Sequence, residues 1–385
     1  MKILGMNLIL IALCSSLNSL AAQPQIKVRI GKALQRITLN GSDIKQIIQG
    51  NITSKVYPGR KRIRFNCAPI VKKTNPKKPL MLTSLNSKAG LIKWNKTGYV
   101  GRLNIVTSAN RKGCDLINQM PLETYISSLL SKEMSPVWPI EALKAQAVAA
   151  RSYAYHKMIT KQVSKDHGHN VFYDLENSEK HQVNGSFFDT TASTTLAARE
   201  TKGEVLLVGT KELTPIFFHS KCGGKTLRPD QVWSNYVKGY RSVDCPFCHK
   251  HGTKSWKHKM SKLKFRKLVN KTLTNYHDES LRSKNSKLLR ITPDNKGKAF
   301  LRLYDDDRPL SVQKSRIRSF LGRKRAASNY FHIEQKGNKV ILKGNGFGHG
   351  VGLCQYGAYE LAKRGYTYKQ ILSHYFPEHN IKKIY

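Results

Sequence analysis

The spacing of apolar residues changes near residue 115, and this change constrains the fold more than any other feature of the sequence. From 23 to 113, runs such as Ile26-Lys-Val-Arg-Ile30 and Lys61-Arg-Ile-Arg-Phe65 alternate apolar and polar residues, which predicts short, half-exposed strands. After Pro121, the spacing becomes that of an amphipathic helix, with apolar side chains at Leu122, Tyr125, Ile126, Leu129 and Leu130. The sequence therefore predicts a mixed α+β fold with a β-rich N-terminal region.

A second predicted helix follows at once, so a helical pair flanks Glu133. Pro139 precedes the alanine-rich segment from Ile140 to Tyr155, and alanine is both a strong helix former and small enough for close packing. Further along, we expect strands at 204–208 and 213–219, a very basic section at about 256–340, and a glycine-rich C-terminal segment that leads into a last helix.

The N-terminus has the pattern of a secretory signal peptide. Lys2 precedes an apolar run from Ile3 to Leu13, and Ser19-Leu-Ala21 supplies small residues at a cleavage site, so residues 1–22 form the predicted signal. An uncleaved anchor is the alternative. The prediction is export through the Sec pathway to the periplasm or cell-wall space, with no transmembrane span in the mature protein. Export argues against a nucleic-acid partner.

The chain is strongly basic, with 67 Lys and Arg against 24 Asp and Glu and a formal charge of +43. Such a surface attracts polyanions, and its self-repulsion favours a monomer. For an exported protein the expected partner is the anionic cell envelope.

Six of the seven cysteines remain beyond the signal. His219-Ser-Lys-Cys222 and Cys245-Pro-Phe-Cys248 are two chelating pairs on tight turns, which predicts a closed structural zinc site with His219, Cys222, Cys245 and Cys248 as ligands. A disulfide from Cys222 to Cys245 or Cys248 is the alternative, and Asp244, His249 and His251 are nearby substitutes for a ligand. The sequence leaves open whether Cys67 and Cys114 pair.

Glycines alternate with other residues at Gly346, Gly348, Gly350 and Gly352, a pattern that permits positive φ angles or close approach of the backbone to a ligand. Because the strand and helix context of a dinucleotide site is missing, we expect no organic cofactor. We interpret the segment as a groove wall in which His349, Gln355 and Tyr356 present polar edges to a sugar. A structural role for His349 is the alternative.

Glu133 is the carboxylate whose neighbours are most distinctive. Leu129, Leu130, Met134, Val137 and Trp138 surround it in sequence, and apolar packing raises the pKa of a carboxyl group and so retains the proton that a general acid needs. A glutamate at an exposed helix end is the alternative.

Three segments together resemble the SpoIID/LytB family of bacterial cell-wall enzymes. They are Pro121-Leu-Glu-Thr-Tyr125 with Glu133-Met134 and the 141–153 helix, then Gln182-Val-Asn-Gly185 with Thr201-Lys-Gly203 and His219-Ser-Lys-Cys-Gly-Gly-Lys-Thr226, and finally Gly346-Phe-Gly-His-Gly-Val-Gly-Leu-Cys-Gln-Tyr-Gly-Ala358. The resemblance covers about 115–385. It implies a SpoIID-like catalytic domain at 114–385 that contains the basic inserted section, behind an accessory region at 23–113 that it does not cover.

The resemblance implies a lytic transglycosylase that acts on peptidoglycan strands stripped of stem peptides, in sporulation or cell division, with Glu133 as catalytic acid. It also implies substrate-binding roles for Lys144, Gln146, Arg151, His349, Gln355 and Tyr356, and a metal at the HxxC position. Asn184 and Cys354 depart from the family pattern. A non-catalytic glycan-binding protein and a zinc-dependent cell-wall hydrolase are the alternatives.

Overall fold

The computed structural model describes residues 23–48, 53–74, 77–160, 165–166, 169–177, 185–252, 255–276, 289–291, 298–305 and 308–385. The predicted signal peptide and Asn184 lie outside these ranges. The described residues combine helices with several β-sheets, which confirms the predicted mixed α+β class.

The N-terminal part of the chain forms strands and one short helix. The strands are β1 (Gln25–Leu34), β2 (Arg36–Ile48), β3 (Thr53–Asn66), β4 (Met81–Ser87), β5 (Leu91–Trp94), β6 (Thr97–Val100), β7 (Arg102–Thr107) and β8 (Cys114–Pro121), and the helix is α1 (Cys67–Thr74). A disulfide between Cys67 and Cys114 joins α1 to β8, with their Cα atoms 5.6 Å apart. It therefore ties the accessory region to the first strand beyond residue 113.

The helices that follow build the centre of the molecule. The chain continues through α2 (Leu122–Glu133), α3 (Ile140–Thr160), β9 (Lys165–Asp166), β10 (His169–Asn170), β11 (Leu175–Glu176), α4 (Ala192–Glu200), β12 (Glu204–Val208), β13 (Phe218–His219) and α5 (Asp230–Trp233). Two short 3₁₀ turns lie at Phe187–Asp189 and Pro246–Lys250. Because α3 is buried around most of its circumference, its alanines let α4, β12 and later helices approach closely.

The large N-terminal sheet runs in the order β11-β1-β8-β7-β4-β2-β5-β6, with β3 paired to β2. The β11 strand is parallel to β1, and the other pairs are antiparallel. The predicted boundary at residue 113 falls inside this sheet, since β8 pairs with both β1 and β7. Pro121 ends β8, and α2 begins at the next residue, so the sheet fixes where the first helix starts.

The basic inserted section has its own core. It contains β14 (Ser255–Ser261), α6 (Lys262–Tyr276), β15 (Leu289–Ile291), β16 (Phe300–Asp305), β17 (Arg308–Gln313), α7 (Lys314–Leu321), β18 (Phe331–Lys336) and β19 (Lys339–Asn345). Apolar side chains of α6, α7 and these strands form one buried cluster. The section begins and ends side by side, because Ser255 of β14 is the register partner of Asn345 of β19.

The C-terminal segment returns to the centre of the molecule. It forms β20 (Leu353–Cys354), α8 (Gln355–Lys363), α9 (Tyr368–Tyr375) and β21 (His379–Lys383). Strand β20 pairs in parallel with β13, and β21 pairs with β12. Both α8 and α9 contact α3, which brings the glycine-rich segment close to the end of α2.

Candidate active site and thiol cluster

Glu133 is the last residue of α2. The helix ends there because Met134 takes an extended conformation, with φ −134° and ψ 152°, while its N–H still donates to Leu130 O at 2.9 Å. Met134 is buried in the core, and its packing fixes the end of the helix. The Glu133 side chain beside it is half-buried. This end agrees with the predicted helical pair that flanks Glu133.

The Glu133 side chain opens into a cavity of about 480 Å³, within the usual size range of ligand sites. We call this cavity the Glu133 cleft. Among the described residues, Glu133 is the only carboxylate in its lining. The other lining residues are Lys132, Tyr153, Ile216, Phe217, Phe218, His219, Ser220, Trp233, Arg323, Phe347, Gly348, His349 and Gln355.

Gln355 orients the Glu133 carboxylate. Its Nε2 donates to Glu133 Oε2 at 3.4 Å, and the Gln355 side chain is itself buried at the first residue of α8. A helix N-terminus carries partial positive charge, so α8 presents its positive end to this part of the cleft. Burial raises the pKa of Tyr125 well above its usual value, and the charge of Glu133 raises it further, which places the carboxylate near that ring.

Two neutral histidines, His219 and His349, also line the cleft, with ring centroids 5.4 Å apart. The His219 Nδ1 donates to Val351 O at 3.0 Å, and burial lowers the pKa of His219 to about 4. The His349 Nδ1 accepts from Val351 N at 3.1 Å, and desolvation, helped by His219, lowers the pKa of His349 well below its usual value. Both rings are therefore uncharged at neutral pH.

The glycine-rich segment forms a wall of the cleft. Its four alternating glycines all have positive φ, as the sequence predicted. At Gly352 a Cβ atom would lie 2.1 Å from Phe217 O, and Leu353 N donates to that same oxygen at 3.0 Å. Phe347 N likewise donates to Lys221 O at 2.8 Å. The glycines allow this backbone to lie directly against the 217–221 backbone.

The structure brings together only part of the predicted substrate-binding set. His349 and Gln355 line the Glu133 cleft, whereas Tyr356 packs edge-on against Trp138, with ring centroids 4.9 Å apart. Lys144, Gln146 and Arg151 do not line the cleft either.

These three α3 residues are corrected to packing roles. The fully buried Arg151 donates from Nε and Nη2 to the two carboxylate oxygens of Glu123 at 2.8 and 2.7 Å. Lys144 forms ion pairs with Glu141 and Glu200, at 2.8 and 2.6 Å. Gln146 is fully buried inside the helical core. These three side chains therefore take part in the packing of α3 within the fold, and the sequence motif that contains them reflects that packing.

Several residues of the cleft lining were not predicted from the sequence. Lys132 directly precedes Glu133 in the sequence, so its position near the site could have been predicted. Arg323 carried no such signal, because it belongs to the inserted section, whose scattered charge predicts a solvated surface. The aromatic residues Tyr153, Trp233 and Phe347 gain their place from three separate parts of the chain.

Four cysteines form a thiol cluster beside the cleft. The Sγ atoms of Cys222, Cys245, Cys248 and Cys354 all lie within 4.8 Å of one another, and all four residues are buried free thiols. The Sγ atoms of Cys222 and Cys248 are 3.5 Å apart. The alternative disulfide of Cys222 is therefore not formed.

The thiol cluster differs from the predicted ligand set at one position. His219 is not among the four residues whose donor atoms lie within 4.8 Å of one another, and its Nδ1 donates to Val351 O. Cys354 takes the fourth place, brought there by the pairing of β20 with β13. One indication of this is present in the sequence: Cys354 is the cysteine that remains after the three predicted cysteine ligands and the possible Cys67–Cys114 pair.

Two family models match parts of this chain. The family described as Stage II sporulation protein matches residues 110–207, and a domain of unknown function (DUF8618) matches residues 248–352. An uncharacterized protein of Brachyspira hyodysenteriae is 33% identical over 68% of this chain and 66% of its own length.

Two named relatives come from Bacillus subtilis. Its stage II sporulation protein D is 28% identical over 68% of this chain and 74% of its own length, and its amidase enhancer is 25% identical over 72% and 43%. Fold, motifs and relatives together define a protein with a cell-wall-related role. The chain belongs to the SpoIID family. No helix in the described ranges combines the length and apolar character that crossing a membrane requires.

Proposed function

We propose that this protein is an exported lytic transglycosylase that cleaves the bond between MurNAc and GlcNAc in denuded peptidoglycan strands and leaves 1,6-anhydroMurNAc ends. One observation carries the proposal: within the described residues, Glu133 is the only carboxylate in the cleft lining, and Gln355 holds it. An ordinary glycosidase needs two carboxyl groups, one as acid and one as base or nucleophile.

A lytic reaction needs one carboxyl group. Glu133 donates its proton to the glycosidic oxygen as the bond to C1 of MurNAc breaks. The C6 hydroxyl of the same sugar then attacks C1, and its proton passes to the Glu133 carboxylate, which restores the acid. No water enters the products, so the MurNAc end becomes a 1,6-anhydro ring. The glutamate acts first as general acid and then as general base.

The rest of the cleft suits a sugar chain. Tyr153, Trp233 and Phe347 supply apolar faces for pyranose rings, and the Gln355 amide supplies a dipole near the positive charge that develops at C1. The histidines, being neutral, add no charge that would repel an oxocarbenium ion.

We also propose that the thiol cluster holds a structural zinc ion through Cys222, Cys245, Cys248 and Cys354. Zinc binds thiolate sulfur at about 2.3 Å in a tetrahedron, which places the sulfurs about 3.8 Å apart, and the four Sγ atoms already lie within 4.8 Å. Donors also face the sulfurs, since the Tyr375 hydroxyl lies 3.1 Å from Cys245 Sγ and Cys222 N lies 3.4 Å from Cys354 Sγ. The ion would join the 222, 245–248 and 354 segments.

This arrangement disfavours the two alternative functions. Four buried thiols leave no open position for a catalytic water, which argues against a zinc-dependent hydrolase. A binding protein without turnover would have no need to hold a carboxylate with an amide in its groove. One relative is named amidase enhancer, which supports a role for this chain alongside an amidase. An amidase that removes stem peptides would supply the denuded strands.

Mass spectrometry of the products tests the function. Purified protein is incubated with denuded glycan strands, and the released fragments are analysed before and after borohydride reduction. We expect anhydro ends, which lack one water and resist reduction. Reducible MurNAc ends would instead indicate a hydrolase, and intact strands that sediment with the protein would indicate a binding protein.

A further inference from the structure

The inserted section contains a cavity that the proposed reaction does not use. This cavity has a volume of about 820 Å³ and is lined by residues of β14, of α6, of α7 with the segment after it, and of the turn between β18 and β19. Among the described residues, its lining shares none with the Glu133 cleft. Its volume is within the usual size range of ligand sites, so the cavity is a separate candidate binding site.

The charged groups that line this cavity are all positive. Within the part of the chain that the structure describes, its lining contains no carboxylate, and none of its cations forms an ion pair. The Lys271 Nζ lies 4.8 Å from the centroid of the Phe320 ring, which also lines the cavity. The exposed cations of the lining are Lys259, Lys264, Lys271, Arg325 and Lys339. Because like charges around one cavity repel one another, an anionic ligand would stabilise this arrangement.

Apolar side chains form the less exposed part of the same lining. Each of them is half-buried, whereas the cations are exposed. These side chains are Met260, Leu268, Phe320 and Leu321. Helix α6 contributes to both kinds of surface, because Lys264, Leu268 and Lys271 have the spacing of residues on one helix face. A ligand that fills the cavity must therefore be amphipathic as well as anionic.

Helix α6 has the composition of helices that lie at membrane surfaces. It contains no Asp or Glu, and its cations are Lys262, Lys264, Arg266, Lys267 and Lys271. Leu263 in its first turn is exposed. The opposite face of the helix is buried in the core of the inserted section through Phe265 and Val269, so α6 cannot insert as a free helix. Contact with a membrane would instead be made by a lipid that enters the cavity.

We propose that the cavity of the inserted section binds an anionic phospholipid, whose phosphate lies among the exposed cations and whose acyl chains contact the apolar side chains. Basic pockets are a general means of binding anionic lipid headgroups. A wall polymer with phosphates on a polyol backbone would match the cations but would leave the apolar side chains against hydroxyl groups. The site would hold the protein on a membrane surface by its inserted section, and this inference does not rest on the proposed function.

Three soluble ligands separate charge from apolar contact. Purified protein is titrated by calorimetry with dihexanoyl phosphatidylglycerol below its critical micelle concentration. Dihexanoyl phosphatidylcholine has the same acyl chains without net charge, and glycerophosphoglycerol has the same charge without acyl chains. We expect phosphatidylglycerol to bind about tenfold more tightly than either, since both parts of the lining contribute. Equally tight binding of glycerophosphoglycerol would indicate a site for wall polyol phosphates, and equally tight binding of phosphatidylcholine would remove the role of the cations; either result overturns the proposal.

Paired lysine variants distinguish the cavity from the general positive field. Lys264→Gln combined with Lys339→Gln should weaken phosphatidylglycerol binding by about tenfold or more and leave phosphatidylcholine binding unchanged. Lys267→Gln combined with Lys336→Gln is the control. It removes the same charge from α6 and from the register partner of Lys339, at exposed positions outside the lining, and should bind as the unmodified protein does. Equal losses in the two pairs would assign the binding to overall charge and overturn the proposal.

A photoreactive lipid locates the acyl chains. Vesicles of equimolar phosphatidylcholine and phosphatidylglycerol, with a diazirine on the phosphatidylglycerol acyl chain, are irradiated with the protein, and the cross-linked residues are identified by mass spectrometry. We expect adducts at Met260, Leu268 or Phe320, and Glu133→Gln should give the same adducts because Glu133 lines the other cavity. Adducts only outside the cavity would overturn the proposal. Glycan turnover without lipid binding would leave the proposed function intact.

Discussion

The Glu133 cleft and the cavity of the inserted section differ in size and in the side chains that line them. The cavity of the inserted section measures about 820 Å³, and the described residues that line it are basic, apolar or uncharged polar, with no carboxylate among them. The Glu133 cleft measures about 480 Å³ but combines an acid, an amide that orients it and two neutral histidines. A search by cavity size alone would therefore select the cavity of the inserted section instead of the Glu133 cleft.

The two regions also differ in whether their charged side chains are buried or exposed. In the helical core that carries Glu133, Arg151 is fully buried and paired with Glu123. In the inserted section most cations remain at the surface, and Lys314 is buried among apolar groups. The two regions therefore differ in their polar chemistry: the Glu133 cleft combines one carboxylate with an amide, and the inserted section presents many cations. The following experiments test that difference.

The largest effect is expected from Glu133→Gln, which keeps the shape of the side chain and removes its proton. We expect turnover of denuded glycan to fall by about 10²- to 10⁴-fold or more, with binding retained. Anhydro-end release and glycan binding are measured side by side. Glu200→Gln makes the same chemical change outside the cleft lining and should leave turnover unchanged; turnover retained by Glu133→Gln would end the assignment.

The next effect concerns the thiol cluster. Cys354→Ser should remove most of the bound zinc and lower the melting temperature, since structural zinc contributes directly to folding. His219→Gln should keep the zinc. Metal is measured by elemental analysis, and cobalt substitution reports the number of thiolate ligands from its charge-transfer absorption. Zinc lost from His219→Gln and kept by Cys354→Ser would restore the original ligand set.

Arg151→Met tests whether this residue belongs to packing. Removing one partner of a buried ion pair costs about 3–5 kcal/mol, and Glu123 would keep a buried charge. Urea unfolding measures the loss. Arg228→Met is the control, because its pair with Asp230 is largely exposed and should contribute at most about 1 kcal/mol. A normal unfolding free energy with weakened glycan binding would return Arg151 to the substrate.

In the inserted section, the prediction concerns pH. Burial lowers the pKa of Lys314 from 10.5 to about 8, while its Nζ donates to Phe331 O at 2.6 Å. Between those pH values the unfolded chain binds more protons than the folded chain, so stability rises with pH, by up to about 3 kcal/mol over the full window. Lys314→Met should flatten this rise in urea unfolding, and the exposed Lys267→Met should preserve it. An unchanged slope in Lys314→Met would contradict the prediction.

The smallest effect is expected from the surface charge. Lys264 and Lys339 line the larger cavity, and replacing both with Gln should weaken retention on sacculi a few-fold at low salt, with no change in turnover of soluble glycan. At about 0.15 M salt the screening length is about 8 Å, so the difference should shrink as salt rises. Sedimentation with sacculi measures it. A loss of turnover would place these lysines in the catalytic groove.

Local signals in the sequence predicted the elements around Glu133 well. The helices α2 and α3 follow from apolar spacing and from Pro121 and Pro139, because a helix period and its end signals lie within one short segment. A longer strand was predicted at 213–219, but only Phe218–His219 is a strand, since Pro215 lacks the N–H that a ladder needs.

Features that depend on distant parts of the chain were predicted less well. Cys354 joins Cys222 across 132 residues, so no local spacing could place it in the thiol cluster. The role of Arg151 depends on Glu123 in another helix, and Arg323 reaches the cleft only because the inserted section folds back on Gly348. A motif identifies which residues matter, while their contacts depend on the tertiary fold.

The neighbouring ends of the inserted section have an evolutionary consequence. Since Ser255 and Asn345 are paired, a single genetic event could add, remove or replace everything between them without separating the strands on either side. Glu133 would survive such an exchange, while the segment 322–329, which is hydrogen-bonded to Gly348, would change with the new sequence. Members of the family could in this way exchange part of the cleft lining by recombination and keep the carboxylate.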